Sequence, residues 1–301
     1  MGATRRAARA VVAVSCLALT ACSVGAPSGG PTEPPEDVDI SAYSDVHAVL
    51  DRSAESIVYP IDAFFISRAD LGRLAQANAL LWDDCMREGG RTYPPAEFDL
   101  TQSVDAPDTA FGIWSPDSAD RFGYALDPSL DDDIETANAA LMAASQADPG
   151  WDAAFDACLE SVERLPELGR DFAWETPQIS DLPQSIRNDA GMLASTDPVW
   201  EDARQAWSDC LVSRGLTLDT EVEGSWAPEI PEDPEAAIRT AVLDVQCKEE
   251  TGLVETLSSL HAQYQAALID RHRAALDEVA EKEREIVAHA DEIIATRGAG
   301  G

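Results

Sequence analysis

Asp131-Asp132-Asp133 and Glu135 crowd carboxylates into one short run, a density that can hold calcium or supply an acid and a base. The run lacks the glycine and the terminal glutamate of an EF-hand loop. It also stands at an expected helix start, where the helix dipole favours acids. His261 and His272 fall near one face of an expected helix but about three turns apart, too far to share a metal, and His47 and His289 are isolated. Solvated or partly packed rings are expected of all four. The chain has no His-Glu-x-x-His, Cys-x-x-Cys or Gly-x-Ser-x-Gly, and no phosphate-cradling glycine loop followed by lysine. No catalytic residue, metal or cofactor is expected. A hydrolase acting on glycan stays as the alternative, and it would need two carboxyl groups about 5–10 Å apart in a cleft.

The second chemical resource is aromatic. Phe111, Trp114, Phe122 and Tyr124 lie in a turn-rich stretch with Gly112, Pro116 and Gly123, and such rings can stack on a sugar or a peptide side chain. They are the candidate ligand-binding residues. The same rings can instead pin the loop to the core, because large apolar side chains are usually buried.

Cysteine supplies the third. Arg5, Arg6 and Arg9 precede an apolar run from Val11 to Leu19, too short to span a bilayer, and the small residues Thr20 and Ala21 stand just before Cys22. This layout reads as a secretory signal over 1–21. Leu19-Thr20-Ala21-Cys22 resembles the lipobox of bacterial lipoproteins. The resemblance implies that the Cys22 thiol takes a diacylglycerol and that the protein sits lipid-anchored on the extracytoplasmic face of the cell membrane. Two acyl chains hold a protein firmly where one would be marginal. Cys16 leaves with the signal, so Cys85, Cys158, Cys210 and Cys247 remain in an oxidising compartment. Two disulfides are expected, with three connectivities open.

Charge narrows the partners. The chain has 21 Lys+Arg against 56 Asp+Glu, a formal net charge of −35, and loss of the signal arginines makes it more acidic still. Nucleic acid is excluded as a natural partner, because phosphate binding needs clustered basic side chains. Contact with the membrane falls to the lipid on Cys22. The expected partner is an envelope protein or a small ligand.

These residues need elements to position them. The Pro-, Gly- and Ser-rich stretch over 22–43 reads as a flexible tether. An α-helical domain is expected over 44–296, with 297–301 a disordered tail. Val46, Val49, Leu50 and Ile57 suggest a first helix over 44–57. Ser67-Arg68-Ala69-Asp70 resembles a capping box, and Leu71, Leu74, Ala75, Asn78, Leu81, Trp82 and Cys85 keep helical spacing until Gly89-Gly90. A short helix is expected near 118–121 and another over 131–146. Asp148-Pro149, Asp197-Pro198 and Asp233-Pro234 each pair a capping acid with proline and introduce helices carrying Cys158, Cys210 and Cys247. After Thr251-Gly252, a long helix is expected over 253–296, its apolar stripe thinning past Leu268 until it projects or pairs weakly.

Trp82, Phe155 and Trp207 each stand three residues before a cysteine, and an apolar residue follows each cysteine. On a helix this puts ring and sulfur on one face. The recurrence suggests related halves over 44–165 and 180–252. If each half closes on itself, Cys85 pairs with Cys158 and Cys210 with Cys247.

Asp244-Val245-Gln246-Cys247-Lys248, with Gly252 and Tyr264-Gln265 following, is similar to the C-terminal part of a group of actinobacterial extracytoplasmic lipoproteins. The 82–90 helix and Gly112-Ile113-Trp114 to Gly123-Tyr124 share the likeness, which spans about 45–280. It carries over no catalytic residue. The expectation is an all-α, disulfide-stapled bundle, more plausibly a non-enzymatic binding or interaction protein of the cell envelope than an enzyme.

Overall fold

The computed structural model describes residues 38–101, 107–125, 127, 132–166, 182–220, 222 and 224–297. Cys22 and the signal lie outside them. The fold is all-α, and its spine is the helix expected at the C-terminal end. In chain order the helices are α1 (Arg68–Glu88), α2 (Pro116–Phe122), α3 (Asp132–Ala147), α4 (Trp151–Ser161), α5 (Leu182–Thr196), α6 (Pro198–Ser213), α7 (Pro234–Thr251) and α8 (Leu253–Arg297).

Helix α8 has 45 residues, about 67 Å of rise. Its first half buries Leu253, Leu257, Leu260 and Leu268 against α5, α6 and α7. The second half does not project. Leu276, Val279, Ala290 and Ile293 are buried, and the helix runs beside α1 in the same direction, since Arg73 pairs with Asp291 and Asp84 with Arg297. The stripe looked thin because alanine fills it: Ala77 on α1 meets Ala290 and Ile293 on α8 in one cluster.

The first expected helix is not formed. Val49–Asp51 (β1) and Ser56–Val58 (β2) instead make an antiparallel hairpin with Leu50 opposite Ile57. Asp51 decides this locally. Its Oδ1 accepts from the backbone amides of Ser53 and Ala54 and from the Ser53 hydroxyl, a side-chain turn that competes with helix. Packing also begins earlier than 44: Val38 and Ile40 lie on the cluster of Ile61, Phe64 and Ile186, and Tyr43 donates to Asp270 at 3.0 Å.

Of the three Asp-Pro signals, two cap as expected. Asp197 accepts from the Val199 amide and Asp233 from the Ala236 amide. Asp148 does not; α4 starts from Gly150. Asp148 uses its carboxylate to accept from Gly150 N and, at 2.6 Å, from Arg91 Nε, tying the α3–α4 turn to the end of α1.

The cysteines bond as Cys85–Cys158 and Cys210–Cys247. Around Cys85 and Cys210 the same local structure appears twice. The ring three residues earlier is buried (Trp82, Trp207), the next residue is buried (Met86, Leu211), and a left-handed glycine stands five residues on (Gly90, φ 74°; Gly215, φ 79°). Arg91 N then donates to Met86 O and Leu216 N to Leu211 O, the Schellman closure that such a glycine permits.

Candidate functional site

On α7, Asp244 and Lys248 stand one turn apart and both are sealed from solvent. Lysine is scarce here, Lys248 and Lys282 being the only two. Lys248 Nζ donates to Asp244 Oδ2 at 2.9 Å, and to the carbonyls of Ile113 and Trp226 at 2.8 Å each. Its three protons are thus spent. Asp244 Oδ1 accepts from Trp207 Nε1 at 2.9 Å, and Oδ2 also accepts from the Tyr124 hydroxyl at 3.2 Å. Burial pushes the Asp244 carboxyl up and the Lys248 ammonium down, while each charge and its hydrogen bonds hold the other ionised. Burial beside Asp244 also raises the Tyr124 phenol far above its ordinary value, so it stays a donor. The arrangement is a clasp. It fastens the 111–124 segment and the loop after α6 to the helix that carries Cys247.

The candidate aromatic residues therefore build no ligand-sized pocket among the described residues; Trp114 borders only a crevice of about 10 Å³ beside Lys248 and Val254. Phe111 and Trp114 are buried in the core with Trp207, Leu211 and Leu257, and Phe111 packs edge-on against Trp226. Trp114 Nε1 donates to the Asp108 carbonyl at 2.7 Å. Tyr124 is held by the clasp, and Phe122, half-buried, lies under the Arg121 guanidinium. The loop is pinned by its own rings, for the reason that makes exposed large rings uncommon.

A groove of about 390 Å³ opens elsewhere, between the second half of α8, the start of α1 and the 3-10 turn Pro60–Phe64 with the residues after it. Phe65, Ile66, Ala280 and Val287 give it apolar walls. Asp70, Glu283, Arg284 and Asp291 give it charge. Most of that charge is committed. Asp70 accepts from the Ser67 hydroxyl and pairs with Arg73, which also reaches Asp291, and Arg284 pairs with Glu281. Glu283 has no hydrogen-bond or ion-pair partner among the described residues. Its carboxyl is half-buried, and burial alone pushes it up to about 7.

Of the histidines, His261 is half-buried on α8 against α5. Its Nε2 donates to the Arg187 carbonyl at 3.1 Å, and Tyr59 packs on the ring. His47 touches Ser259, His289 pairs with Glu292, and His272 stays apart from His261. Asp131 lies outside the described residues, as do the side chains of Asp132, Asp133 and Glu135, whose backbone forms the first turn of α3. Among the described residues no three His, Cys, Asp or Glu side chains converge as a metal set. No helix there is long and apolar enough to cross a membrane.

In the sequence, Asp244 and Lys248 stand out only within the family likeness of the Cys247 stretch. The signal that finds them as a pair is an Asp and a rare Lys at i,i+4 inside an apolar helix face. Glu283 carried no signal among so many acids. The groove needs α1 laid beside α8, which no local pattern specifies.

No protein-family model matches the chain. No curated protein and no solved structure matches it either. What the protein does must be argued from its own groups.

Proposed function

We propose that this is a membrane-anchored lipoprotein of the extracytoplasmic face, and that its helical domain is a non-enzymatic binding module of the cell envelope. Leu19-Thr20-Ala21-Cys22 behind a basic and apolar leader carries the reading. Two disulfides suit an oxidising compartment, and the strongly acidic surface leaves membrane contact to the lipid.

The groove along α8 supports binding over hydrolysis. Acid–base cleavage of a glycosidic bond needs two available carboxyl groups across a cleft. Asp70 and Asp291 are both engaged by Arg73, which leaves Glu283 as the available one. A single uncommitted carboxylate between apolar walls suits recognition of a complementary ligand.

The test is fractionation of cells producing the wild type and Cys22→Ala, with labelled palmitate. Wild type is expected in membranes and labelled; the variant is expected unlabelled and released on opening the envelope. Membrane retention of an unlabelled Cys22→Ala protein would overturn the anchor.

A further inference from the structure

The groove's contents fix the kind of ligand that complements it. Its volume, about 390 Å³, falls at the small end of the range for small-molecule sites. A half-buried carboxylate without a partner is costly, and a cation placed beside it repays that cost. The basic groups at its walls are already paired: Arg284 with Glu281, Arg73 with Asp70 and Asp291, and Arg187, which lies over the Phe65 ring, with Asp62. The field of a chain with net charge −35 favours entry of cations and opposes anions. Phe65, Ile66 and Val287 offer apolar surface that a bare metal ion would not use.

We propose that this groove binds a small organic cation, a primary amine on a short apolar stem, with the ammonium on the Glu283 carboxylate and the stem along Phe65, Ile66 and Val287. The proposal rests on the binding-module reading and names the ligand class. Glu283 is the specificity-determining group. Only its ionised form attracts the amine, and Asp70 on α1 together with Arg284 and Asp291 on α8 are the other charges facing it.

The test is calorimetric titration of the purified full chain with hexylamine, hexanol and hexanoate. Hexylamine is expected to bind, and the alcohol and the acid at least tenfold more weakly. Because burial holds Glu283 at about 7, hexylamine affinity is expected to rise about tenfold from pH 6 to pH 8. Glu283→Gln is expected to weaken binding at least tenfold and to remove that pH dependence. Ala288→Trp, at an exposed groove position, is expected to block binding while leaving the charge in place; thermal melts report whether each variant folds. Equal binding of hexanol, or unchanged hexylamine binding in folded Glu283→Gln, would overturn the proposal. Absence of binding in a protein that Cys22 still anchors would retire the amine ligand and leave the anchor standing.

Discussion

Lys248 Nζ lies 2.9 Å from Asp244 Oδ2 on the same face of α7, and the two charges are among the most deeply buried groups of the described residues. The pair holds three parts of the chain at once, because Lys248 also takes the Ile113 and Trp226 carbonyls and Asp244 takes Trp207 and Tyr124. A buried pair of this kind is weak as a source of net stability, yet removing one partner strands the other.

Lys248→Met is therefore expected to destabilise the fold by about 3–5 kcal/mol, read as a drop in the urea midpoint under oxidising conditions. Asp244→Leu combined with Lys248→Met is expected to recover part of that loss. Recovery stays incomplete because Trp207 Nε1 and the Ile113 and Trp226 carbonyls lose their partners. A cost below about 1 kcal/mol for Lys248→Met would show that the clasp is solvated in solution.

Much of this scaffold is legible in the sequence where a signal is local. Ser67 caps α1, Asp197 caps α6 and Asp233 caps α7, because a capping carboxylate or hydroxyl acts within three residues. The repeat of ring, sulfur and glycine at fixed helical offsets marks two halves, and the observed Cys85–Cys158 and Cys210–Cys247 pairings are those in which each half closes on itself. Helix α5 escaped, although Ile186, Ala190 and Ala194 recur every four residues, because alanine gives a weak apolar signal. The Val49–Val58 hairpin is not legible from apolar spacing, because Asp51 closes a turn that such spacing does not register. Distant pairing was illegible. Nothing near Glu283 announces that Asp70 and Phe65 will face it.

Gly112 and Gly215 separate two reasons for glycine. Both have left-handed φ, 69° and 79°. A Cβ on Gly112 would stand 2.6 Å from the Trp226 carbonyl and 3.0 Å from Lys248 Nζ; one on Gly215 would meet nothing within 4 Å. Gly215→Ala is expected to cost about 1 kcal/mol, the backbone term alone. Gly112→Ala is expected to cost at least about 1 kcal/mol more, because it also displaces an acceptor of the clasp. Equal denaturation midpoints for the two variants would refute the steric part.

Removing the disulfides by Cys→Ala pairs is expected to cost about 2–5 kcal/mol each. The Cys85–Cys158 bridge spans 73 residues and Cys210–Cys247 spans 37. Chain entropy makes the longer closure worth about 0.6 kcal/mol more. Non-reducing peptide mapping is expected to recover Cys85 with Cys158, and a Cys85–Cys210 peptide would overturn the pairing.

Stability is expected to depend on pH through His261, with a sign set by burial. Burial holds its native pKa below the ordinary value of 6.5; the hydrogen bond to the Arg187 carbonyl opposes that, the Arg187 charge adds to it, and Asp62 and Asp108 oppose it. The unfolded chain then binds the proton first as pH falls. The His261 contribution is thus fully present above pH about 6.5 and is lost through the window between 6.5 and the native value, by up to about 1.4 kcal/mol per pH unit. Glu283 acts with the opposite sense, since its native pKa of about 7 exceeds the ordinary 4.5 and penalises folding as pH rises through that interval. The two overlap below pH about 6.5, so the wild-type profile alone does not isolate the histidine. The difference between wild type and His261→Gln does, because Glu283 is common to both and glutamine can still donate to the Arg187 carbonyl. Urea midpoints from pH 8 to 5 are expected to show wild type losing stability faster than His261→Gln on acidification. Parallel profiles would show that His261 titrates as if exposed, and that the α5–α8 contact opens in solution.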